Sequence, residues 1–212
     1  IADRVLWFDA AKTGSLYTTS GKTTKVAANG DPIGAWTDQS SGLDVLQATS
    51  ALRPSLVTSA LNGLPVVRFP GCTGCTLVST GTGNITAANT IVAVAKDNGT
   101  TDFGGILSHS GAISLVNGSG RYTIDGWGGI GARSTSDIQK FRIVTGIYQQ
   151  ANTNNSLIYL DGFLEENFQG GGVATFPGSN TIEVGGRTFS GYTSRVLKGD
   201  IAEILVYNRV LT

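Results

Sequence analysis

Paired carboxylates are the most direct route from this sequence to chemistry. Two of them about 5–5.5 Å apart can cleave a glycosidic bond with retention, one as nucleophile and one as acid and base. On a strand, residues two apart share a face, so such a pair shows itself by its spacing. No two Asp or Glu residues here stand two apart. Glu165 and Glu166 are adjacent and diverge, Asp200 and Glu203 differ by an odd offset, and the Asp161-Gly162 turn separates Asp161 from Glu165. A pair formed across neighbouring strands stays open. His109, the one histidine, sits in Leu107-Ser108-His109-Ser110-Gly111 at a strand end. A general base needs an orienting acid and a nucleophile; neither is patterned around it, so it reads as a surface or hydrogen-bonded polar residue. The glycine-rich stretches 126–131 and 170–172 lack the following helix and Lys of a phosphate cradle. No residue is assigned a catalytic role.

Residues suited to binding stand out more clearly. Shallow sugar sites stack an aromatic face on the pyranose and read its hydroxyls with amide, carboxylate and Arg groups. Trp127, in Asp125-Gly126-Trp127-Gly128-Gly129, has neighbours that cannot bury it, which makes an exposed indole a binding candidate. Tyr122, Asp125, Arg133 and Asn152 join it if the loops gather at one rim. Arg187 and Tyr192, in Gly185-Gly186-Arg187-Thr188-Phe189-Ser190-Gly191-Tyr192, form a second grouping. Trp7, inside the apolar run Val5-Leu6-Trp7-Phe8, reads as core. Calcium is the one cofactor with a ligand supply. Asp97, Asn98 and Asp102 offer two carboxylates and an amide in one loop, toward the six to eight oxygens that ion takes. Asp/Asn/Gly runs are also ordinary turn material.

The two cysteines form Cys72-Thr73-Gly74-Cys75. Without a second pair, more histidines or a helix to follow, a local disulfide is favoured over a redox or zinc site. So short a loop removes little chain entropy, so the bond serves to fix shape. Fifteen basic and fifteen acidic residues give zero formal charge. No Lys/Arg stripe is present to displace counterions, which argues against nucleic acid. No apolar run approaches the roughly 20 residues that span a bilayer, so membrane insertion is not expected. The chain opens on Ile1, which reads as a processed product or a module of a larger protein or assembly.

Positioning all these groups falls to strands. Only 14% of residues are charged, 30 are glycine and methionine is absent, a composition of short strands and tight turns. Strands are predicted at 4–8, 64–69, 90–95, 106–108, 113–116, 121–124, 139–148, 157–160, 163–165, 181–184 and 201–207. The 90–95 run reads as buried on both sides, and 139–148 as the longest strand. Asn62-Gly63, Asn117-Gly118 and Asp161-Gly162 are hairpin dipeptides. Helical turns are confined to the neighbourhoods of 49–53 and 134–138. With no repeat and no linker, residues 1–212 read as one antiparallel sandwich.

Three segments carry a family likeness, in order along the chain: Trp36-Thr37-Asp38-Gln39-Ser40-Ser41-Gly42, Asn62-Gly63-Leu64-Pro65-Val66-Val67-Arg68-Phe69, and Lys198-Gly199-Asp200-Ile201-Ala202-Glu203-Ile204-Leu205-Val206-Tyr207-Asn208-Arg209. Together they resemble the laminin-G-like branch of the concanavalin A-like lectin/glucanase superfamily. The resemblance implies an all-β, two-sheet jelly-roll sandwich with paired terminal strands, and a structural role for Trp36 beneath the loop that follows it. It also implies rim calcium in many members. The superfamily's Glu-x-Asp-x-x-Glu glucanase motif is absent, and its lyase pattern is met only by Arg142 and Tyr148-Gln149. The leading expectation is a non-catalytic module that binds a glycan or surface protein, extracellular or surface-exposed on a cell or virion. A decoration or assembly domain and an atypical glycosidase or lyase are the alternatives.

Overall fold

Alternation decides the architecture. In a computed structural model, which describes residues 3–100, 103–109, 113–118, 120–126, 129–134, 138–149, 156–165, 170–171, 180–189 and 192–211, period-2 burial builds two antiparallel sheets. In chain order the first strands are β1 (Arg4–Asp9), β2 (Leu16–Tyr17), β3 (Ala35–Trp36), β4 (Val45–Leu46), β5 (Ser55–Leu61), β6 (Leu64–Pro70) and β7 (Leu77–Gly83). The middle ones are β8 (Ala88–Asp97), β9 (Gly104–His109), β10 (Ile113–Gly118), β11 (Arg121–Gly126), β12 (Gly129–Arg133) and β13 (Arg142–Gln149). The last are β14 (Leu157–Leu160), β15 (Phe163–Leu164), β16 (Gly170–Gly171), β17 (Asn180–Val184), β18 (Gly186–Phe189), β19 (Tyr192–Val196) and β20 (Lys198–Tyr207). Among the described residues helix is limited to two 3-10 turns, Thr13–Ser15 and Ser50–Leu52, the second inside the predicted 49–53.

One main sheet runs β15-β14-β13-β8-β20-β6-β5, the other β16-β12-β11-β10-β9-β17-β7-β4-β3-β2, and β18 and β19 form a separate two-stranded ribbon. The chain is therefore an all-β two-sheet sandwich, as expected. β20 organises the first sheet. One edge pairs with β8 throughout; the other pairs with β6 at Lys198–Ile201 and with β1 at Glu203–Tyr207. First and last strands thus lie side by side, as the resemblance implied.

Between the sheets the core collects Phe8, Trp36, Phe69, Tyr122 and Tyr148 with many Ile, Leu and Val side chains. Trp36 and Phe8 meet at 5.5 Å between ring centroids. Burying a side chain of this kind stabilises by about 1.5–3 kcal/mol against leaving it exposed. The sheets approach closely where β13 crosses β11. A Cβ on Gly146 would come within 2.9 Å of Ile124 Cδ1, so glycine is the residue that admits the isoleucine.

Several sequence expectations are adjusted by the structure. Ile91, Ala93 and Ala95 are fully buried but Val92 and Val94 only half, so β8 is covered on one face rather than two. The longest described strands are β8 and β20, ten residues each, not the predicted 139–148. The turns at Asn62-Gly63 and Asp161-Gly162 form with both residues at positive φ, the geometry of a type I′ hairpin. Asn117-Gly118 is not a turn. Both residues pair within β10–β11, Gly118 facing Arg121, and Gly120 takes the positive φ. Trp7 is not core either. Leu6 and Phe8 point inward, which turns Trp7 outward by parity. Its Nε1 donates to Glu203 Oε1 at 2.8 Å, and the Arg4 guanidinium and Lys12 ammonium lie 4.0 and 4.1 Å from its ring centre.

Candidate functional site

The segment 36–44 shows how a short motif shapes a surface. Trp36 is fully buried and anchors the chain; two residues on, the Asp38 carboxylate gathers the loop around itself. Oδ1 accepts from the amides of Trp7 (2.7 Å) and Ser40 (3.0 Å). Oδ2 accepts from the amides of Ser41 (2.6 Å) and Gly42 (3.0 Å) and from Ser41 Oγ (2.7 Å). Gly42 turns through φ +79° to close the loop. Behind it, Asp44 accepts from the Asp38 amide and pairs with Lys22 at 2.6 Å. The two carboxylates fix backbone, and Ser40 and Ser41 remain exposed at the surface of the loop.

That loop forms one wall of a cleft of about 460 Å³ lined by Arg4, Val5, Leu6, Ser40, Ser41, Gly42, Leu43, Thr82, Gly83, Asn84, Ile85 and Asn208. The floor is apolar: Leu6 and Ile85 are buried, Val5 and Leu43 half-buried. The rim is polar, with Ser40, Ser41, Thr82 and Asn84 exposed and the Arg4 Nε bound to Ser40 Oγ at 3.0 Å. Asn208 pins the far side. Its Oδ1 accepts from the Thr86 amide and its Nδ2 donates to the Asn84 carbonyl, at 3.0 and 2.8 Å. The carbonyl of Arg209 accepts from Thr90 Oγ1, holding the chain beyond β20 in place. Two of the three segments that carry the family likeness therefore meet at this cleft, a convergence that spacing along the chain does not reveal. A floor of aliphatic groups under a ring of hydroxyl, amide and guanidinium groups suits a small polar ligand with an apolar face, and the volume is within the usual range for such pockets.

The described residues singled out from the sequence lie on several different strands and loops. Tyr122 is in the core, 1% exposed, with its hydroxyl bonded to the Ala95 carbonyl at 3.2 Å, so its ring does not reach a rim. Even parity along β11 sends it inward with Ile124. Arg187 is also buried, 3% exposed, on the β18–β19 hairpin opposite Arg195. Asp125 pairs with Ser114 and Ile130 on β11, Arg133 with Thr123 on β12, and Tyr192 with Phe189 on β19. Trp127, Asn152 and Asp102 lie outside the described residues. Asp97 is buried, and its Oδ1 accepts from the Thr100 amide at 2.8 Å, a turn cap. Asn98 donates its amide to the Lys198 carbonyl. Asp97 and Asn98 are thus the described members of this candidate ligand set. Among the described residues no group of three or more His, Cys, Asp and Glu converges. Cys72 and Cys75 are joined as a disulfide, their Cα atoms 5.2 Å apart.

Two buried groups titrate away from their ordinary values. Glu183, whose Oε2 accepts from the Thr188 amide and hydroxyl at 2.8 and 3.1 Å, is pushed up by burial, which those two bonds oppose. His109 is fully buried and hydrogen-bonded, the second of the two readings its surroundings allowed. Its Nε2 meets the Gly83 carbonyl at 3.0 Å, and burial holds its pKa below the usual histidine value. Because a carbonyl only accepts, Nε2 carries the proton in the neutral ring.

No family model and no curated protein matches the chain. Solved structures do. Trypanosoma rangeli sialidase aligns with TM-score 0.61 and 16% identity over 100% of this chain and 31% of its own. The binding domain of botulinum neurotoxin DC, in complex with SialylT, aligns with TM-score 0.59 and 12% identity over 100% of this chain and 49% of its own. The binding domain of Paraclostridial Mosquitocidal Protein 1 aligns with TM-score 0.58 and 12% identity over 84% and 47%. The chain spans about a third to a half of these proteins' lengths. At such identities the likeness establishes a shared β-sandwich fold.

Proposed function

We propose that residues 1–212 form one laminin-G-like recognition domain that binds glycans without cleaving them, as part of a larger secreted or surface-exposed protein. The observation that carries this reading is the cleft built by Asp38: an apolar floor, a rim of Arg4, Ser40, Ser41, Thr82 and Asn84, and walls held by partly buried hydrogen bonds. Preorganised polar groups around a shallow apolar surface recognise sugars at low entropic cost. The botulinum neurotoxin DC binding domain, solved in complex with SialylT, supports the same reading. Calcium enters no step of it. Described carboxylates near the loops hold structure: Asp38 and Asp97 cap backbone, Asp44 pairs with Lys22, and Asp200 pairs with Arg68. A glycan array, followed by product analysis of every bound saccharide, tests the proposal. Retention of intact saccharides is the expected result; release of reducing ends or unsaturated sugars would transfer the domain to the glycosidases or lyases.

One observation favours the assembly reading as second. Along the outer face of the first sheet, cross-strand register aligns Trp7, Leu205, Val92, Thr145, Tyr159 and Leu164 in one row. Ile143, Phe163 and Leu164 on that sheet are 50, 76 and 53% exposed. Sedimentation velocity across a concentration series separates the readings: a monomer supports recognition alone, and a concentration-dependent dimer lost in Ile143→Asp supports assembly.

A further inference from the structure

A second cleft lies at the other end of β20, about 370 Å³ in volume and lined by Arg53, Ser55, Arg68, Phe69, Pro70, Asn98 and Lys198. It shares no residue with the first. Three of its seven lining residues are cationic, and none is acidic.

How those charges are compensated decides what the cleft can hold. Arg68 is neutralised: its Nε and Nη2 donate to the two oxygens of Asp200 at 2.7 and 2.8 Å, and Asp200 is 1% exposed. Arg53 is not. Its Nε, Nη1 and Nη2 donate to the carbonyls of Gln47, Thr18 and Ala48 at 3.0, 3.1 and 2.8 Å, and among the described residues no carboxylate pairs with it. Three carbonyls fix the guanidinium plane but leave its charge, and two of its five N–H groups, unspent. Lys198 likewise has no carboxylate partner among the described residues, while its backbone is strapped by bonds to Thr100 Oγ1 and Asn98. The cleft thus carries two uncompensated cations, one of them preoriented, beside the hydroxyl of Ser55, the amide of Asn98 and the exposed ring of Pro70.

We propose that this cleft binds the carboxylate of an acidic saccharide, with Arg53 and Lys198 holding the carboxylate and Ser55 and Asn98 reading adjacent hydroxyls. A charge-assisted bond to a fixed guanidinium is the strong, directional contact that carboxylate recognition uses. The saccharide part rests on the glycan reading above; the anion part does not.

The test is calorimetric titration of the whole chain with trigalacturonate, and with neutral maltotriose and acetate as controls. Trigalacturonate is expected to bind, more weakly at high salt. Lys198→Gln is expected to weaken it about tenfold and Lys198→Glu to abolish it, both with unchanged melting temperature because Lys198 is exposed. Absence of trigalacturonate binding, or binding untouched by Lys198→Glu, overturns the inference while leaving array-detected binding at the first cleft intact. Acetate binding as tightly as trigalacturonate overturns the saccharide class and keeps only an anion site.

Discussion

Asp38→Ala isolates what the 36–44 motif does. The carboxylate accepts four backbone amides at 3.0 Å or less, from Trp7, Ser40, Ser41 and Gly42, and the Ser41 hydroxyl besides. Ser40, Ser41 and Gly42 are exposed, so water replaces the carboxylate there at modest cost. The Trp7 amide is partly buried and is left without an acceptor, which costs about 1–3 kcal/mol. With about 1 kcal/mol more for the bonds lost to the loop amides, the expected destabilisation is about 2–4 kcal/mol. Asp38→Asn keeps the oxygen facing Trp7 and Ser40 but can turn an NH2 toward Ser41 and Gly42, so about 2 kcal/mol is expected for it. Urea unfolding followed by tryptophan fluorescence reads both values, with an unchanged m-value marking an effect on the native state. Both variants should also lose saccharide binding at the first cleft, since its wall is this loop. A loss below 1 kcal/mol for Asp38→Ala would refute the claim that this carboxylate organises the loop.

The other expectations can be stated together. Gly185→Ala places a Cβ against the Phe69 ring at φ +78°, combining backbone strain with overpacking; about 3 kcal/mol of destabilisation is expected by thermal unfolding. Glu183 has a folded pKa above its ordinary value of 4.5, so its contribution to stability is full below that pH and is lost as pH rises through the folded value. Glu183→Gln, which keeps an acceptor for Thr188, should therefore be more stable than the parent at pH 7 and equal to it in acid. His109 has the opposite sign: with a folded pKa below its ordinary 6.5, its contribution is present above 6.5 and lost as pH falls through the folded value. His109→Gln should flatten that acid limb in a melting-temperature profile.

How much of this was legible in the residues alone varies with the kind of constraint. Local rules were readable. Asn62-Gly63 and Asp161-Gly162 both form the turns that their φ preferences dictate, and 157–160 is a strand with the predicted ends. Parity needs a reference, and Trp7 shows why: the apolar run Val5-Leu6-Trp7-Phe8 does not say which neighbour faces the other sheet, and Glu203, 196 positions away, decides it. Short strands such as Ala35–Trp36 and Val45–Leu46 carry too few residues for a period to emerge. The cleft was illegible for a similar reason. Arg4, Ser41, Asn84 and Asn208 carry no shared spacing, and only tertiary contacts gather them: β1 pairs with β20, Arg4 bonds to Ser40, and Asn208 bonds to Asn84. Tyr122 erred the other way, since aromatic and glycine clustering suggested a rim where alternation sends the ring inward.

The central claim is that the first cleft takes a saccharide. Thr82 lies exposed on its rim, and Thr82→Trp fills the space without removing any hydrogen bond of the 36–44 loop. Titration of an array-selected saccharide into parent and variant is the direct measurement. At least a tenfold loss of affinity, about 1.4 kcal/mol, is expected at an unchanged melting temperature; affinity equal to the parent's in a folded variant would rule out saccharide binding at this cleft.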